Sequence, residues 1–204
     1  MAIRDRILAG ALPHDRWLRI ADLAAELGTS VTPVRTALLT LEQQGLVEVA
    51  KARGFRAIPP TRRDVTDAYL ITAFLSGELT ARTASLAEKP LARCEGIHDE
   101  MIAVADGTRP GDVDELKWEF HRTIHGAAAS PRAASTLRAV TRSVPHAFHR
   151  LVPGWTEVAL VHHREILDAL RNRDSEKARR AAERHVLLGC EMLVEHFERS
   201  GYWS

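Results

Sequence analysis

Residues 20–41 read IADLAAELGTSVTPVRTALLTL and contain two short amphipathic segments on either side of a glycine. Four apolar residues of the first segment follow the i, i+3, i+4, i+7 spacing of one helix face: Ile20, Leu23, Ala24 and Leu27. Four residues of the second segment repeat that spacing: Val34, Ala37, Leu38 and Leu41. Gly28 ends the first helix, and Ser30 stands at the N-cap of the second. Two short helices joined by a tight glycine turn, with a third predicted before them at residues 3–8, are typical of a helix-turn-helix.

A short β-hairpin is predicted directly after these helices. Residues 46–50 and 55–58 are strand-like, and the tip between them, Lys51-Ala52-Arg53-Gly54, is basic and has a glycine where positive φ is favourable. The pair Pro59-Pro60 follows, and two prolines disfavour a helix and cannot donate to a sheet ladder. The sequence therefore predicts a winged helix-turn-helix domain over residues 1–60.

Length and composition indicate a globular chain with room for two domains. The 204 residues are 45% hydrophobic and 27% charged with a formal net charge of +1, which excludes the fibrous and disordered classes. No apolar run approaches the roughly 18 residues that a membrane span needs, and the start of the chain is too charged for a signal peptide. We therefore expect a cytoplasmic protein with no membrane partner. Cys94 and Cys190 are far apart without metal-type pairing, so reduced thiols are expected.

The charge is unevenly distributed along the chain. Residues 1–63 hold ten Lys and Arg against six Asp and Glu, a net charge of +4, whereas the remaining residues hold 18 against 21, a net charge of −3. A basic module joined to an acidic one suggests that only the first module meets a polyanion.

The remaining residues, 61–204, are predicted to form an all-α helical bundle. Breakers such as Pro90 and Pro153-Gly154 separate apolar periodic stretches. Helices are predicted over residues 64–88, 91–105, 111–129, 131–151, 157–173 and 175–199. An antiparallel bundle is the simplest way to bury such apolar stripes. The predicted fold class is therefore mainly α, with an N-terminal winged helix-turn-helix that includes a small β-hairpin wing and a C-terminal all-α helical bundle.

The start of the second helix of the helix-turn-helix is a candidate nucleic-acid contact. With Ser30 as N-cap, Pro33 falls in the first turn, where its missing N–H removes no intrahelical bond. Hydroxyl and free N–H groups at a helix start bind phosphates, and Arg35, one turn inward, can bind a guanine edge or a phosphate. Lys51 and Arg53 of the wing would follow the DNA backbone or enter the minor groove. The alternatives are an ordinary capped surface helix and a solvated charged hairpin.

The segment from Ile7 to Ile58 resembles the winged helix-turn-helix of GntR-type bacterial transcription regulators. The resemblance rests on residues of both helices and of the wing: Leu23-Ala24, Leu27-Gly28, Ser30, Thr32-Pro33-Val34-Arg35, Ala37-Leu38, Leu41, Gly45-Leu46-Val47 and Arg53-Gly54. It implies DNA contacts within this set, and the expected DNA-binding residues are Ser30, Thr32, Pro33, Arg35, Lys51, Arg53 and Gly54. Family members often carry arginine where this chain has Val31, and a valine offers a base at most an apolar contact with a thymine methyl group.

The second module is similar to the all-helical effector domain of the FCD subgroup of this family. The matching residues lie on several predicted helices: Phe120-His121, Ala127-Ala128, Pro131, His163, Ile166-Leu167, Ala169-Leu170, Asp174, Ala178 and His185. The resemblance implies that residues 61–204 bind a small-molecule effector and dimerise. It implies a ligand-responsive regulator, a dimeric repressor on a palindromic double-stranded DNA operator. One winged module covers about half of a typical site, which also leads to a homodimer.

The same resemblance implies a pocket lined by three histidines from different predicted helices: His121, His163 and His185. In metal-binding members these histidines hold a divalent metal ion together with an aspartate four residues before the first histidine. Here that position is Lys117, whose ammonium group cannot ligate a cation and repels it. Three arrangements are open: His125 or Asp114 completes a metal site, Lys117 itself draws an effector carboxylate while the histidines donate hydrogen bonds, or the pocket has lost its ligand. The second is preferred, and the expected effector-binding residues are Lys117, His121, His163 and His185.

Two other functions compete with the regulator. The first is a metal-dependent helical-bundle enzyme in which the three histidines hold a catalytic cation, but the chain has no carboxylate at the ligand position and no nucleophile motif. The second is a protein-interaction module without DNA affinity, in which Arg35 and Arg53 are surface charges. We therefore expect a regulator and not an enzyme. Thr72 stands where family members often have an arginine, so the identity of the effector stays open.

Overall fold

The computed structural model describes residues 2–12, 14, 17–51, 53–85, 88–144 and 151–203. The chain divides into two compact units, Met1–Arg63 and Asp64–Ser204, and each has its own buried apolar core. Helices dominate both units, and the described residues contain one two-stranded sheet. The predicted fold class, a winged helix-turn-helix followed by an all-helical domain, is confirmed. Of the helices that the structure describes, none has the length and apolar composition to cross a membrane.

Three helices and a β-hairpin make up the first unit. Their bounds are α1 Ala2–Leu8, α2 Ile20–Glu26, α3 Val31–Gln43, β1 Val47–Ala50 and β2 Gly54–Ala57. The strands pair antiparallel, with Val47 opposite Ala57 and Ala50 opposite Gly54. Leu18 forms an isolated antiparallel bridge to Phe55, so a third short segment lies along the edge of the hairpin.

The predicted apolar faces of α2 and α3 form much of the core of this unit. Five of their residues are buried: Leu23, Ala24, Val34, Leu38 and Leu41. Three more are partly buried and pack against the same core: Ile20, Leu27 and Ala37. Phe55 of the hairpin is buried among them, so the wing is attached to α3 through the core.

Glycine forms the turn between α2 and α3. Gly28 has a φ of 61°, a left-handed conformation that costs glycine little. The N–H of Thr29 donates to the carbonyl oxygen of Ala24 at 2.9 Å, and the N–H of Gly28 donates to that of Ala25 at 3.2 Å. These two bonds satisfy the last carbonyls of α2 in a Schellman motif. Gly45 ends α3 in the same way, with a φ of 74°.

The second unit contains six helices within the described residues. Their bounds are α4 Arg62–Ala84, which begins at the border of the two units, α5 Glu88–Ala105, α6 Val113–Ala127, α7 Pro131–Val140, α8 Trp155–Arg171 and α9 Ser175–Arg199. α8 packs along α9, and α5 packs against both α6 and α8. Two aspartates cap helix starts in this unit. The Asp112 carboxylate accepts a hydrogen bond from the N–H of Asp114, and the Asp174 carboxylate accepts one from the N–H of Lys177, each at 2.9 Å.

Two expectations about helix ends are wrong. The helix predicted over 131–151 ends at Val140 and continues only as a 3₁₀ turn, Thr141–Ser143, after which Val144 is extended with a ψ of 154°. The next residue in the sequence is a proline, which disfavours a helical conformation in the residue before it. The rest of that predicted helix, at residues 145–150, lies outside the described residues. Pro90 is not a breaker between helices but lies in the first turn of α5, where its missing N–H costs no helical bond.

Candidate functional site

In the first unit, the N-terminal end of α3 presents polar side chains to solvent. Ser30 stands at the N-cap with extended backbone (φ −88°, ψ 165°), and its hydroxyl makes no capping hydrogen bond to the helix. Thr32, Pro33 and Arg35 are exposed, because the opposite face of the helix is buried in the core. The first N–H groups of a helix have no partner within it, so this end can bind an anion.

Arg35 lies close to the wing. Its guanidinium carbon is 5.9 Å from the centroid of the Phe55 ring in β2, at the outer limit of a cation–π contact. This distance places the charged group of Arg35 beside the hairpin.

The basic residues of the wing differ in what they contact. Lys51 and Arg53 at its tip are exposed, and Gly54 begins β2 with a φ of 95°. Ala52, between them, lies outside the described residues. Arg56 is ion-paired with Glu48 across the hairpin and lies 5.6 Å from the Trp17 ring. The tip residues are therefore the cations of the hairpin that face solvent without an ion pair within the described residues.

Sequence reasoning identified Thr32 but missed the other residues of the outward stripe of α3. Four exposed residues follow the i, i+4, i+7, i+11 spacing along the face that begins at Thr32: Thr32, Thr36, Leu39 and Gln43. The hydroxyl of Thr36 donates to the carbonyl oxygen of Thr32 at 3.2 Å, so it is already used within the helix. The apolar periodicity that identifies the buried face of α3 also defines this stripe, since the stripe lies on the opposite face of the helix.

In the second unit, three helices bring three histidines together. His121 of α6, His163 of α8 and His185 of α9 each offer one ring nitrogen, and these nitrogens lie within 4.8 Å of one another. Their ring centroids are 5.1 Å apart for His121 with each of the other two, and 4.7 Å apart for His163 with His185. His163 and His185 are buried, and His121 is partly exposed.

Aromatic side chains wall this histidine cluster, by which we mean His121, His163 and His185. Phe120 stacks on His163 with centroids 4.4 Å apart at an interplanar angle of 23°, and the Trp155 ring lies 5.2 Å from that of His185. Gly189 allows the indole to pack closely, because a Cβ at that position would lie 3.2 Å from its ring. The cluster is therefore a mostly buried site made of imidazole donors. Such a donor set suits a borderline cation such as Zn²⁺ better than Mg²⁺ or Ca²⁺, which prefer oxygen ligands.

Lys117 is paired with a carboxylate. Its Nζ is 3.3 Å from Oδ1 of Asp114, one turn earlier in α6, and 4.8 Å from the centroid of the Trp118 ring. Both members of the pair are buried. Desolvation lowers the pKa of Lys117 to about 8, and the Asp114 carboxylate opposes that shift. The ammonium group therefore has a negative partner within its own helix.

His125 and Asp114 do not join the histidine cluster. Among the described residues, the group of side chains that could share an ion contains the three histidines and neither of these two. Nε2 of His125 is 3.0 Å from the Ser76 hydroxyl of α4, and burial lowers the pKa of His125 to about 4. Asp114 is held by Lys117 instead.

Two further buried polar side chains were not foreseen. His98 of α5 is buried with its ring 6.2 Å from that of His163, and desolvation lowers its pKa. Cys94, His98 and Met101 follow the i, i+4, i+7 spacing of one helix face and are all buried. That spacing is the sequence signal that could have predicted a core position for His98. The hydroxyl of Thr72 on α4 is buried and has no hydrogen-bond partner within the described residues.

Comparisons with known proteins agree with these two domains. The sequence profile of the FCD domain matches residues 67–188, and that of the bacterial regulatory proteins of the gntR family matches residues 1–56. A probable D-xylose utilization operon transcriptional repressor of Paenarthrobacter nicotinovorans is 32% identical over 184 residues, which covers 88% of this chain and 80% of that protein. The HTH-type transcriptional repressor RspR of Escherichia coli strain K12 is 24% identical over 190 residues, covering 89% and 81%.

A solved structure has the same fold. E. coli McbR/YncC superimposes with a TM-score of 0.74 at 22% sequence identity, covering 96% of this chain and 95% of that one. The gntR profile and the named relatives describe transcription regulators, so they give no support to the hypothesis of a metal-dependent enzyme. The chain belongs to the GntR family of bacterial transcription regulators and carries an FCD domain.

Proposed function

We propose that this regulator is a repressor that binds a palindromic DNA operator as a homodimer and responds to a small-molecule effector. The exposed N-terminal end of α3, next to a basic wing, is the observation that carries the DNA-binding part of this proposal. The relatives named as repressors support the direction of the regulation.

The DNA contacts divide between the helix and the wing. Ser30 and Thr32 would hold phosphates with hydroxyl and N–H groups, with Pro33 shaping the first turn. Arg35 would bind a guanine edge or a phosphate. Lys51, Arg53 and Gly54 of the wing would follow the DNA backbone or enter the minor groove.

Two copies of this surface are needed for one operator. A single helix-turn-helix reads one half-site, and dimers read two half-sites about one helical turn apart. A homodimer therefore explains how a winged module of this size obtains both affinity and specificity.

The effector site would be the pocket lined by Lys117, His121, His163 and His185. Since Lys117 is paired with Asp114, the two together carry no net charge, and a lysine in this state attracts a carboxylate weakly. The three imidazoles instead fit a divalent cation such as Zn²⁺, which would supply the positive charge that an anionic effector needs. Three protein ligands leave coordination positions for water or for the effector. This three-histidine site, with the effector itself in place of the missing carboxylate, differs from the three arrangements left open by the sequence, and we favour it over the preferred one, in which Lys117 draws the effector carboxylate.

Effector binding would act on DNA binding because the effector has different affinities for the DNA-bound and the DNA-free protein. Coupling free energies of this kind are typically about 1–3 kcal/mol, a change of roughly 5- to 150-fold in DNA affinity. The same coupling can release or strengthen DNA binding, and by reciprocity the operator changes effector affinity by the same factor.

DNase I footprinting with DNA from upstream of the neighbouring genes tests the DNA-binding part. We expect a protected palindrome with a dissociation constant in the range of about 10⁻⁸–10⁻¹¹ M. Absence of affinity for any duplex DNA at low salt would support the protein-interaction module instead.

A second measurement separates the effector site from DNA binding. His163→Ala and His185→Ala are expected to abolish the response to small carboxylates while the protected palindrome remains. His196→Gln, on the same helix as His185 but outside the cluster, is the control that keeps the response. A response unchanged in both alanine variants would place the effector elsewhere.

A further inference from the structure

Three side chains of α3 form a row in which an arginine stands between two apolar residues. Val31, Arg35 and Leu39 are four residues apart, so neighbours in the row are separated by about 6 Å along the helix axis. Val31 and Leu39 are each 45% exposed, and Arg35 is exposed between them. The row begins at the end of α3 that we propose to meet DNA, so its side chains lie where base edges would be.

A second row, beside the first, consists of threonines whose hydroxyl protons are used within the helix. The hydroxyl of Thr36 donates to the carbonyl oxygen of Thr32 at 3.2 Å, and the hydroxyl of Thr40 donates to the carbonyl oxygen of Thr36 at 3.1 Å. A hydroxyl bonded in this way still accepts a hydrogen bond, but it has no proton left to give to a base. Besides that acceptor, Thr36 and Thr40 offer a partner only their methyl groups.

Few side chains of α3 can read a base by paired hydrogen bonds. The residue types that do so in the major groove are Arg and Lys for guanine, Asn and Gln for adenine, and Asp and Glu for cytosine. Residues 31–41 contain one member of these types, Arg35. Glu42 and Gln43 follow in the last turn, at least about 16 Å along the helix from Val31, whereas a recognition helix contacts base edges mainly with its N-terminal residues. One arginine identifies at most one base pair, so further sequence recognition by this helix has to come from another feature of the base edges.

The feature that an apolar side chain recognises in the major groove is the 5-methyl group of thymine. We propose that Val31 and Leu39 each contact a thymine methyl group of the operator half-site, on either side of the base pair that Arg35 meets. A step of about 6 Å along the helix corresponds to about two base pairs of DNA, so the two thymines are expected about two base pairs before and after that position. The inference rests on the DNA binding of the proposed function and names the base feature that α3 recognises.

DNA is favoured over a protein as the partner of this row. Apolar surfaces that bind proteins are contiguous patches, whereas here a guanidinium group separates the two apolar side chains. The row also belongs to the basic part of the chain, since residues 1–63 carry a net charge of +4. A cation between two apolar groups suits a base-pair edge with a thymine on each side of it.

Replacement of thymine by deoxyuridine tests the proposal, because deoxyuridine keeps the hydrogen-bonding groups of thymine and lacks only its methyl group. Each thymine of the protected palindrome is replaced in turn, in both half-sites together, and fluorescence anisotropy with the full chain measures the affinity. We expect two positions in each half-site at which affinity falls about 15-fold, since a buried methyl group contributes about 4-fold and is lost twice. Affinity that is unchanged at every position overturns this inference and leaves the DNA-binding proposal standing, whereas no affinity for any duplex at low salt refutes both.

Two substitutions assign the methyl contacts to their side chains. Val31→Ala and Leu39→Ala should each abolish the effect of deoxyuridine at one of the two positions and keep it at the other, because each variant removes the partner of one methyl group. Circular dichroism should show unchanged helical content, since both residues are exposed. Val161→Ala is the control, an exposed valine of α8 whose replacement should keep both effects. Deoxyuridine effects that persist at both positions in both α3 variants would overturn the proposal.

A change of base preference adds a measurement that does not depend on weakened binding. Val31→Arg places a side chain that binds a guanine edge where an apolar one stood, so the preferred base at the position assigned to Val31 should change from thymine to guanine. Four duplexes that differ only in that base pair give the preference, and Val161→Arg controls for the added charge. A preference that stays with thymine in Val31→Arg would contradict the assignment of this contact.

Discussion

At the scale of single residues, Arg35 combines exposure with a place beside the wing. Its guanidinium carbon lies 5.9 Å from the centroid of the Phe55 ring, whereas the side chains of the opposite face of α3 are buried. Arg35 therefore offers a solvent-exposed charge next to the hairpin.

We predict that Arg35→Ala lowers operator affinity by about 1–3 kcal/mol, the usual range for an arginine that contacts a base edge. The helical content should not change, because Arg35 is exposed and contributes little to the core. Fluorescence anisotropy with labelled operator DNA measures the affinity, and circular dichroism checks the fold. Arg132→Ala, an exposed arginine of α7, serves as the control. Equal affinities for wild type and Arg35→Ala would remove this residue from the DNA interface.

Lys117 shows what a sequence cannot specify about a single residue. The resemblance to the family implied a missing metal ligand at this position, four residues before His121. The pairing of Lys117 with Asp114 depends on the burial of both groups, because a buried ammonium needs a partner. The pairing of His125 with Ser76 of α4 was equally hidden, since it joins residues 49 positions apart.

We predict that Lys117→Asp raises the affinity for Zn²⁺ and Ni²⁺, because it adds an oxygen ligand one helical turn before His121. Without metal the variant should melt at a lower temperature than wild type, since two aspartates of α6 then lack the lysine partner. Lys117→Met removes the charge without adding a ligand and is the matched control. Thermal shift assays and isothermal titration with each metal give both quantities. Metal affinity that rises in the methionine variant as much as in the aspartate variant would show that charge removal, and not ligation, is responsible.

At the scale of secondary-structure elements, the sequence-based predictions were most accurate where a regular apolar spacing ends at a glycine turn. The apolar spacing of α2 and α3 identified their buried faces, and Gly28 identified the turn between them. The ends of α7 and α5 were missed for a common reason, which is that the effect of proline depends on its position. Pro90 is tolerated in a first turn, whereas the proline after Val144 stops a helix before it.

The turn at Gly28 gives a prediction for the stability of the first unit. An added Cβ would meet no atom within 4 Å, so Gly28→Ala should cost only the strain of a left-handed backbone, about 1 kcal/mol. Gly96→Ala is the control with the opposite sign. Gly96 lies inside α5 with the same open surroundings, and alanine there should stabilise the second unit by about 0.5–1 kcal/mol. Urea unfolding followed by circular dichroism measures both changes, and a neutral Gly28→Ala would show that the turn relaxes at no cost.

At the scale of the whole molecule, the uneven charge assigns different partners to the two units. The basic first unit suits a polyanion, and the second unit, with its net charge of −3, does not. Arg35 of α3 and Lys51 and Arg53 of the wing tip are exposed and available to phosphates, whereas Arg56 and Arg6 are ion-paired with Glu48 and Glu26. DNA binding should therefore depend strongly on salt.

We predict that operator affinity falls about 10³-fold between 50 and 200 mM salt. Arg35, Lys51 and Arg53 of two subunits would neutralise up to six phosphates, and each neutralised phosphate adds about −0.9 to the slope of log affinity against log salt. Lys51→Ala should make that slope shallower by about 2, one contact in each subunit, while Lys177→Ala in the second unit leaves it unchanged. Anisotropy titrations across a salt series give the three slopes. A change of about 1 for Lys51→Ala would mean that Lys51 contacts DNA in only one subunit of the dimer, and no change would remove Lys51 from the DNA-binding surface.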